Sequence, residues 1–82
     1  MQDKVVVYGA EWCGFCHEAM RYFDSLGVKY LYKNVDMDPG DARAAVEKSG
    51  QTGIPVIDID GQIIVGFDRP HINQALKEKK LV

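Results

Sequence analysis

The sequence predicts an α/β domain with the element order β-α-β-α-β-β-α: a four-stranded mixed sheet with helices on both faces. Three observations lead there. Short apolar, β-branched runs recur four times along the chain, with stretches of helical spacing between and after them. The first two runs are separated by a helix, a connection that makes neighbouring strands parallel. The last two are separated only by Asp60-Gly61, a tight turn that makes them an antiparallel hairpin.

The first strand is Lys4 to Tyr8, where Val5-Val6-Val7-Tyr8 reads as a buried run bounded by Gly9. A helix starts near Gly14, with Phe15, Ala19, Tyr22, Phe23 and Leu26 as its apolar stripe and Gly27 as a left-handed cap. Lys29 to Val35 alternates and is rich in Tyr and Val, a second strand. Asp38 caps a second helix with Pro39 at its first position; Ala42, Ala45 and Val46 point inward and Gly50 ends it. Ile54 to Ile59 is the third strand and Gln62 to Val65 the fourth. Asp68 caps the last helix, with Pro70 in its first turn and Ile72, Ala75 and Leu76 toward the core.

The chain has 82 residues, room for one domain spanning 1–82. Its net charge is −2 with the signs interspersed, so no basic surface points to nucleic acid. Lys77, Lys79 and Lys80 suit the C-terminal end of a helix dipole. Met1-Gln2-Asp3-Lys4 runs straight into a strand, without the apolar core of a signal peptide. No apolar stretch approaches the about 20 residues of a membrane helix. The expectation is a cytoplasmic monomer without membrane or nucleic-acid partners.

Cys13 and Cys16 are the only cysteines, in Ala10-Glu11-Trp12-Cys13-Gly14-Phe15-Cys16. A disulfide between them closes too small a loop to staple the fold, because cross-link entropy grows with loop length. In a reducing compartment such a pair is catalytic or metal-binding rather than structural. Cys13 falls at the start of the first helix, where free backbone N–H groups and the dipole favour a thiolate. That lowers its pKa below the free value of about 8.5 and makes it the attacking sulfur. Cys16, one turn on, is the resolving thiol that breaks the mixed disulfide. Cys13 is expected to be exposed and Cys16 buried. Phe15 is expected at the surface beside the reactive sulfur, and Trp12 as a shield and an apolar contact for a partner.

These residues resemble the thioredoxin superfamily over the whole chain. Ala10-Glu11-Trp12-Cys13-Gly14 looks like the thioredoxin approach to the active site. The length, the element order and Gly66-Phe67-Asp68 look like glutaredoxins and the small redoxins that donate electrons to ribonucleotide reductase. Thr52-Gly53-Ile54-Pro55 resembles the family loop ending in a cis-proline. The resemblance implies a thioredoxin-like, glutaredoxin-type fold and a protein-disulfide reductase with a redox-active Cys13–Cys16 disulfide and no bound cofactor. It makes Pro55 cis and has Ile54 offer its N–H and C=O to a substrate chain. It carries substrate contact onto Trp12, Phe15, Thr52, Ile54, Pro55, Gly66, Phe67 and Asp68.

The departures concern the electron donor, thioredoxin reductase or glutathione. Glutathione-using glutaredoxins usually carry a cation shortly before the first cysteine, where this chain has Glu11. They commonly open the last helix with a double glycine, a Thr or Ser, and an acid. Here the stretch is Val65-Gly66-Phe67-Asp68-Arg69-Pro70, closer to the Phe-Arg-Pro of the ribonucleotide-reductase redoxins. The buried acid of thioredoxins is replaced by Val5-Val6-Val7. Two alternatives remain open: a glutathione-dependent glutaredoxin, and a cluster-binding glutaredoxin in which two subunits bridge an iron–sulfur centre, a departure that Gly14 in place of proline fits. A zinc site built on His17 and His71 lacks the spacing of a zinc module, so no metal ligand is assigned and both histidines are expected at the surface.

Overall fold

In the computed structural model, which describes residues 4–82, β1 (Val5–Gly9), α1 (Gly14–Ser25), β2 (Leu31–Asn34), α2 (Pro39–Ser49), β3 (Val56–Ile59), β4 (Gln62–Val65) and α3 (Arg69–Glu78) follow one another. The strands form one sheet in the order β2-β1-β3-β4. β1 and β2 are parallel, with Val7 opposite Tyr32 and Gly9 opposite Asn34. β3 is antiparallel to β1, placing Tyr8 opposite Val56, and β4 is antiparallel to β3. The α/β mixed sheet expected from the sequence is therefore the fold observed. The reading of Met1, Gln2 and Asp3 as a lead into the first strand lies outside the described residues.

Strand alternation divides the core between the two faces. Val5, Val7, Ile57, Ile59 and Ile64 meet Ala19 and Phe23 of α1 and Ile72, Ala75 and Leu76 of α3. Tyr8 and Val56 point the other way, onto Ala45 of α2, flanked by Val6, Val35, Ala44 and Ile63. Among the described residues Asp58 is the buried charged side chain of the sheet. It pairs with Lys48 of α2 at 2.5 Å and also accepts the Gly61 N–H at 2.8 Å. The bond to Asp58 is the chief cause that holds the Lys48 ammonium above its ordinary pKa.

The helix ends follow the local chemistry. α1 closes with Leu26 as C-cap and Gly27 at φ 69°; Val28 N–H returns to Phe23 O at 3.0 Å and Gly27 N–H to Asp24 O at 3.1 Å. This paired closure needs a left-handed residue, which glycine adopts without a Cβ penalty. Asp38 caps α2 by accepting from Gly40 and Asp41 N–H. In the β3–β4 turn Asp60 and Gly61 both have positive φ, the geometry that matches strand twist in a two-residue hairpin.

Several expectations are corrected. β1 runs from Val5 to Gly9, one residue later than expected. β2 is shorter than Lys29 to Val35, because it is an edge strand held only by β1. β3 begins at Val56 rather than Ile54, since Pro55 has no N–H to give a ladder. Leu26 is exposed, and Phe15 lies at the surface as expected of it beside the sulfurs rather than in the helical stripe, so the buried stripe of α1 is Cys16, Ala19 and Phe23. Val46 faces solvent and Ala42 is half-buried; α2 lies on a single sheet face and buries only Ala45 fully. α3 ends at Glu78, so Lys79 is its C-cap and Lys80 lies beyond it with φ 57°.

Candidate active site

The site forms where β1 hands over to α1. Gly9 ends the strand, and Cys13 N–H turns back to Ala10 O at 3.1 Å. Cys13 is then the N-cap of α1, with extended backbone at φ −90° and ψ 108°. Its Sγ accepts the Cys16 N–H at 3.2 Å. Sulfur thus occupies the place where an N-cap oxygen ordinarily satisfies a free amide. Cys13 and Cys16 form a disulfide across a Cα–Cα distance of 5.3 Å.

Both cysteines are enclosed. Cys16 is 0% exposed and Cys13 only 6%, which corrects the expected contrast between an exposed and a buried sulfur. Ala10, Cys13 and Cys16 form a small apolar cluster with Ile54 packed against it. The Ile54–Pro55 peptide is cis, as the resemblance implies, and Pro55 is fully buried. Gly66, with φ 81°, gives its N–H to Pro55 O at 2.8 Å, which ties the end of β4 to the proline loop.

Aromatic groups stand outside this enclosure. Trp12 is 72% and Phe15 68% exposed. Trp12 is anchored at one point, where its Nε1–H donates to Asp36 at 2.7 Å. Thr52 is exposed, and the backbone beside it is organised by Gln51, whose side chain accepts from Gly53 N–H and donates to Gly53 O. Phe67 turns inward and meets Tyr22 edge-on at 5.9 Å between ring centroids. Asp68 caps α3: it accepts His71 N–H at 3.3 Å and stands 2.6 Å from His71 Nδ1. These bonds, the side-chain one first, hold the Asp68 carboxyl below its ordinary pKa. Arg69 lies over the Tyr22 ring, 4.7 Å from its centroid, and the Tyr22 hydroxyl bonds Asn73. The cis-proline loop, the dithiol and Gly66 are thus brought together, whereas Phe67 and Asp68 are engaged with α1 and α3.

Four contributors escape the sequence reading. A Cβ on Gly9 would sit 2.7 Å from Cys16 Sγ and 2.9 Å from Cys16 Cβ, so only glycine lets the strand pass this close to the sulfur. Tyr32 donates its hydroxyl to the Glu11 carboxylate at 2.8 Å. Burial first, and then the Glu11 acceptor, push its phenol up to about 12. The His17 ring bonds Glu11 O at 2.8 Å, and Asp36 holds Trp12. The one sequence signal for any of them is the glycine at the strand end; the others lie on elements that only folding brings near the motif. Among the described residues, no group of three or more His, Cys, Asp and Glu side chains is arranged to hold a metal.

A model of the glutaredoxin family matches residues 5–64, from β1 through β4. The chain belongs to the glutaredoxin family. It is a thiol–disulfide redox protein with a CxxC pair, and the family implies disulfide substrates and a reductant as partners. It is 31% identical over 74 residues to a glutaredoxin-like 8.6 kDa protein of the rubredoxin operon of Clostridium pasteurianum, covering 90% of this chain and 99% of that one. It is 34% identical over 65 residues to glutaredoxin 3 of Escherichia coli strain K12, covering 79% and 78% of the two chains. Among solved structures it superimposes on Escherichia coli NrdH-redoxin, a glutaredoxin-like protein with a thioredoxin-like activity profile, with a TM-score of 0.77. That match has 27% identity and covers 85% of this chain and 91% of the other.

Proposed function

We propose that this glutaredoxin-family protein reduces disulfides in protein substrates and draws its electrons from thioredoxin reductase rather than from glutathione. It acts as a cytoplasmic monomer in this reading. The reduced Cys13 thiolate attacks one sulfur of the substrate disulfide, forms a mixed disulfide and expels a thiolate that takes up a proton. Cys16 gives up its proton and attacks Cys13 Sγ, which releases the second substrate thiol and closes the Cys13–Cys16 disulfide. Two electrons and two protons have then passed to the substrate, and the reductase restores the dithiol. The amide that caps Cys13 Sγ at 3.2 Å in the disulfide is placed to stabilise the attacking thiolate. Ile54, packed on the disulfide beside the cis peptide, offers backbone N–H and C=O to the substrate chain, and Trp12 and Phe15 offer it apolar surface.

The observation that carries the choice of donor is the state of Asp68. Its carboxylate is committed to His71 at the start of its own helix, and Arg69 rests on Tyr22 instead of an acid standing free there. Glu11, in place of a cation, adds a negative charge beside the motif. The acid that would meet the tripeptide's amino group is engaged, and Glu11 stands where a cation would meet its carboxylate. The likeness to NrdH-redoxin, whose activity profile is thioredoxin-like, supports the same choice.

The test is a disulfide-reduction assay run with NADPH and thioredoxin reductase, and in parallel with glutathione, its reductase and NADPH. Turnover with thioredoxin reductase at least about tenfold above that with glutathione is expected, a gap of about 1.4 kcal/mol in barrier. Faster turnover with glutathione would replace this reading by the glutathione-dependent one.

A further inference from the structure

We propose that Tyr32, on the neighbouring strand β2, is a positioning residue for the dithiol: its ring backs the place where Cys16 sits, and its hydroxyl holds the approach loop. The inference rests on the thiol–disulfide reading of the site and concerns how the site is tuned.

One direct bond and one close approach tie this tyrosine to the motif. The point where a Gly9 Cβ would lie is 3.4 Å from Tyr32 Cε1 and 2.7 Å from Cys16 Sγ. The tyrosine ring and the resolving sulfur therefore crowd the same space left by a missing side chain, on the sheet face that carries α1. The Tyr32 hydroxyl donates to Glu11 at 2.8 Å. Glu11 in turn accepts through its carbonyl from the ring of His17, one turn after Cys13. One side chain of β2 thus bonds the loop before the first cysteine and borders the Gly9 space that the second cysteine also borders.

On its other side Tyr32 lines an open depression of about 550 Å³, shared with Asp24, Gly27, Val28, Lys29 and Tyr30. That side of the ring is open, so its placement rests on the strand that carries it and, in part, on the bond to Glu11. Its phenol is pushed up to about 12, so it remains a donor to Glu11 throughout the pH range in which thiols exchange.

Disulfide closure is an intramolecular reaction, and its equilibrium constant measures how far the fold favours the closed pair over the open dithiol; holding the two thiols close together raises it. Loosening Cys16 and the loop leaves the reduced pair less prepared to close. The disulfide should then be easier to reduce.

The test is the dithiol–disulfide equilibrium constant of the whole protein in reduced and oxidised dithiothreitol buffers, with a melting curve to confirm folding. These buffers involve no reductase, so the result does not depend on the natural donor. The wild-type constant checks that the pair cycles, and the ratio of variant to wild type tests Tyr32. Tyr32→Leu is expected to lower the constant for disulfide formation by about three- to tenfold, the scale of a modest loss of preorganisation. If that variant does not fold, Tyr32→Ile, better suited to a strand, takes its place. Tyr32→Phe, which keeps the ring, should recover at least half of the loss on a logarithmic scale. A folded aliphatic variant within twofold of wild type overturns the proposal, and so does a phenylalanine variant no better than the aliphatic one.

Discussion

Two rims flank the disulfide, and they are built in opposite ways. On the β1–α1 side, a four-residue loop is held by side chains from other elements: Tyr32 on Glu11, Asp36 on Trp12, and His17 on Glu11 O. On the β4–α3 side, the polar groups are spent on their own helix or on α1: Asp68 on His71, Arg69 on Tyr22. The first rim leaves its large apolar groups, Trp12 and Phe15, in solvent; the second turns Phe67 onto Tyr22. The difference teaches that one side is prepared to position sulfur and meet an apolar surface, while the other has its acid engaged at its own helix start and its cation laid over an aromatic ring.

The strongest break of this asymmetry is at the sulfurs. Cys13→Ser should reduce insulin reduction to the uncatalysed rate, because the nucleophile is gone. Cys16→Ser should instead accumulate mixed disulfides with partners, visible as mass adducts on Cys13. Retained turnover in the first variant would put the nucleophile elsewhere. Next comes Gly9→Ala. Forcing a methyl group to within 2.7 Å of Cys16 Sγ should destabilise the oxidised protein by about 1–3 kcal/mol, the usual cost of overpacking. Urea unfolding measures it, and an unchanged midpoint would mean that the strand and helix can separate freely.

Smaller effects separate the rims by pH. Tyr32 titrates near 12 in the folded protein, against about 10 when unfolded. The folded state binds this proton more tightly, so the stability it contributes is complete below pH about 10 and is lost as pH rises through about 12. Tyr32→Phe should remove that step from the alkaline stability profile. At the other rim the sign reverses. Asp68 has a lowered pKa, so its contribution is present above the ordinary carboxylate range and lost as pH falls through the folded value. Asp68→Asn should flatten that acid limb while leaving the dithiol equilibrium unchanged; a shifted equilibrium would tie the α3 rim to the sulfurs.

What could be read from the sequence follows from how local each signal is. The hairpin, the Asp38 and Asp68 caps and the Cys13 cap position depend on residues a few places apart, and each appears where the pattern puts it. The cis bond comes from family resemblance, since Ile54-Pro55 alone does not announce it. Strand ends are less legible, because β2 and β3 are trimmed by edge position and by the proline at their borders. The side chains that hold the approach loop from behind are not local at all. Tyr32 alternates like any strand residue, and Asp36 looks like one acid among many, until parallel pairing sets Gly9 beside β2. Phe15 fits a helical stripe but stands in the first turn of α1, one residue before the buried Cys16, and stays in water.

Everything proposed for the site turns on Cys13 as the attacking sulfur. The direct measurement is iodoacetamide labelling of the reduced protein across pH 5 to 9, with each cysteine followed by mass spectrometry. Cys13 alone should be alkylated at first, with a midpoint below the about 8.5 of a free thiol, while Cys16 reacts only later. Labelling that begins at Cys16, or at both sulfurs together with an ordinary thiol midpoint, would contradict it.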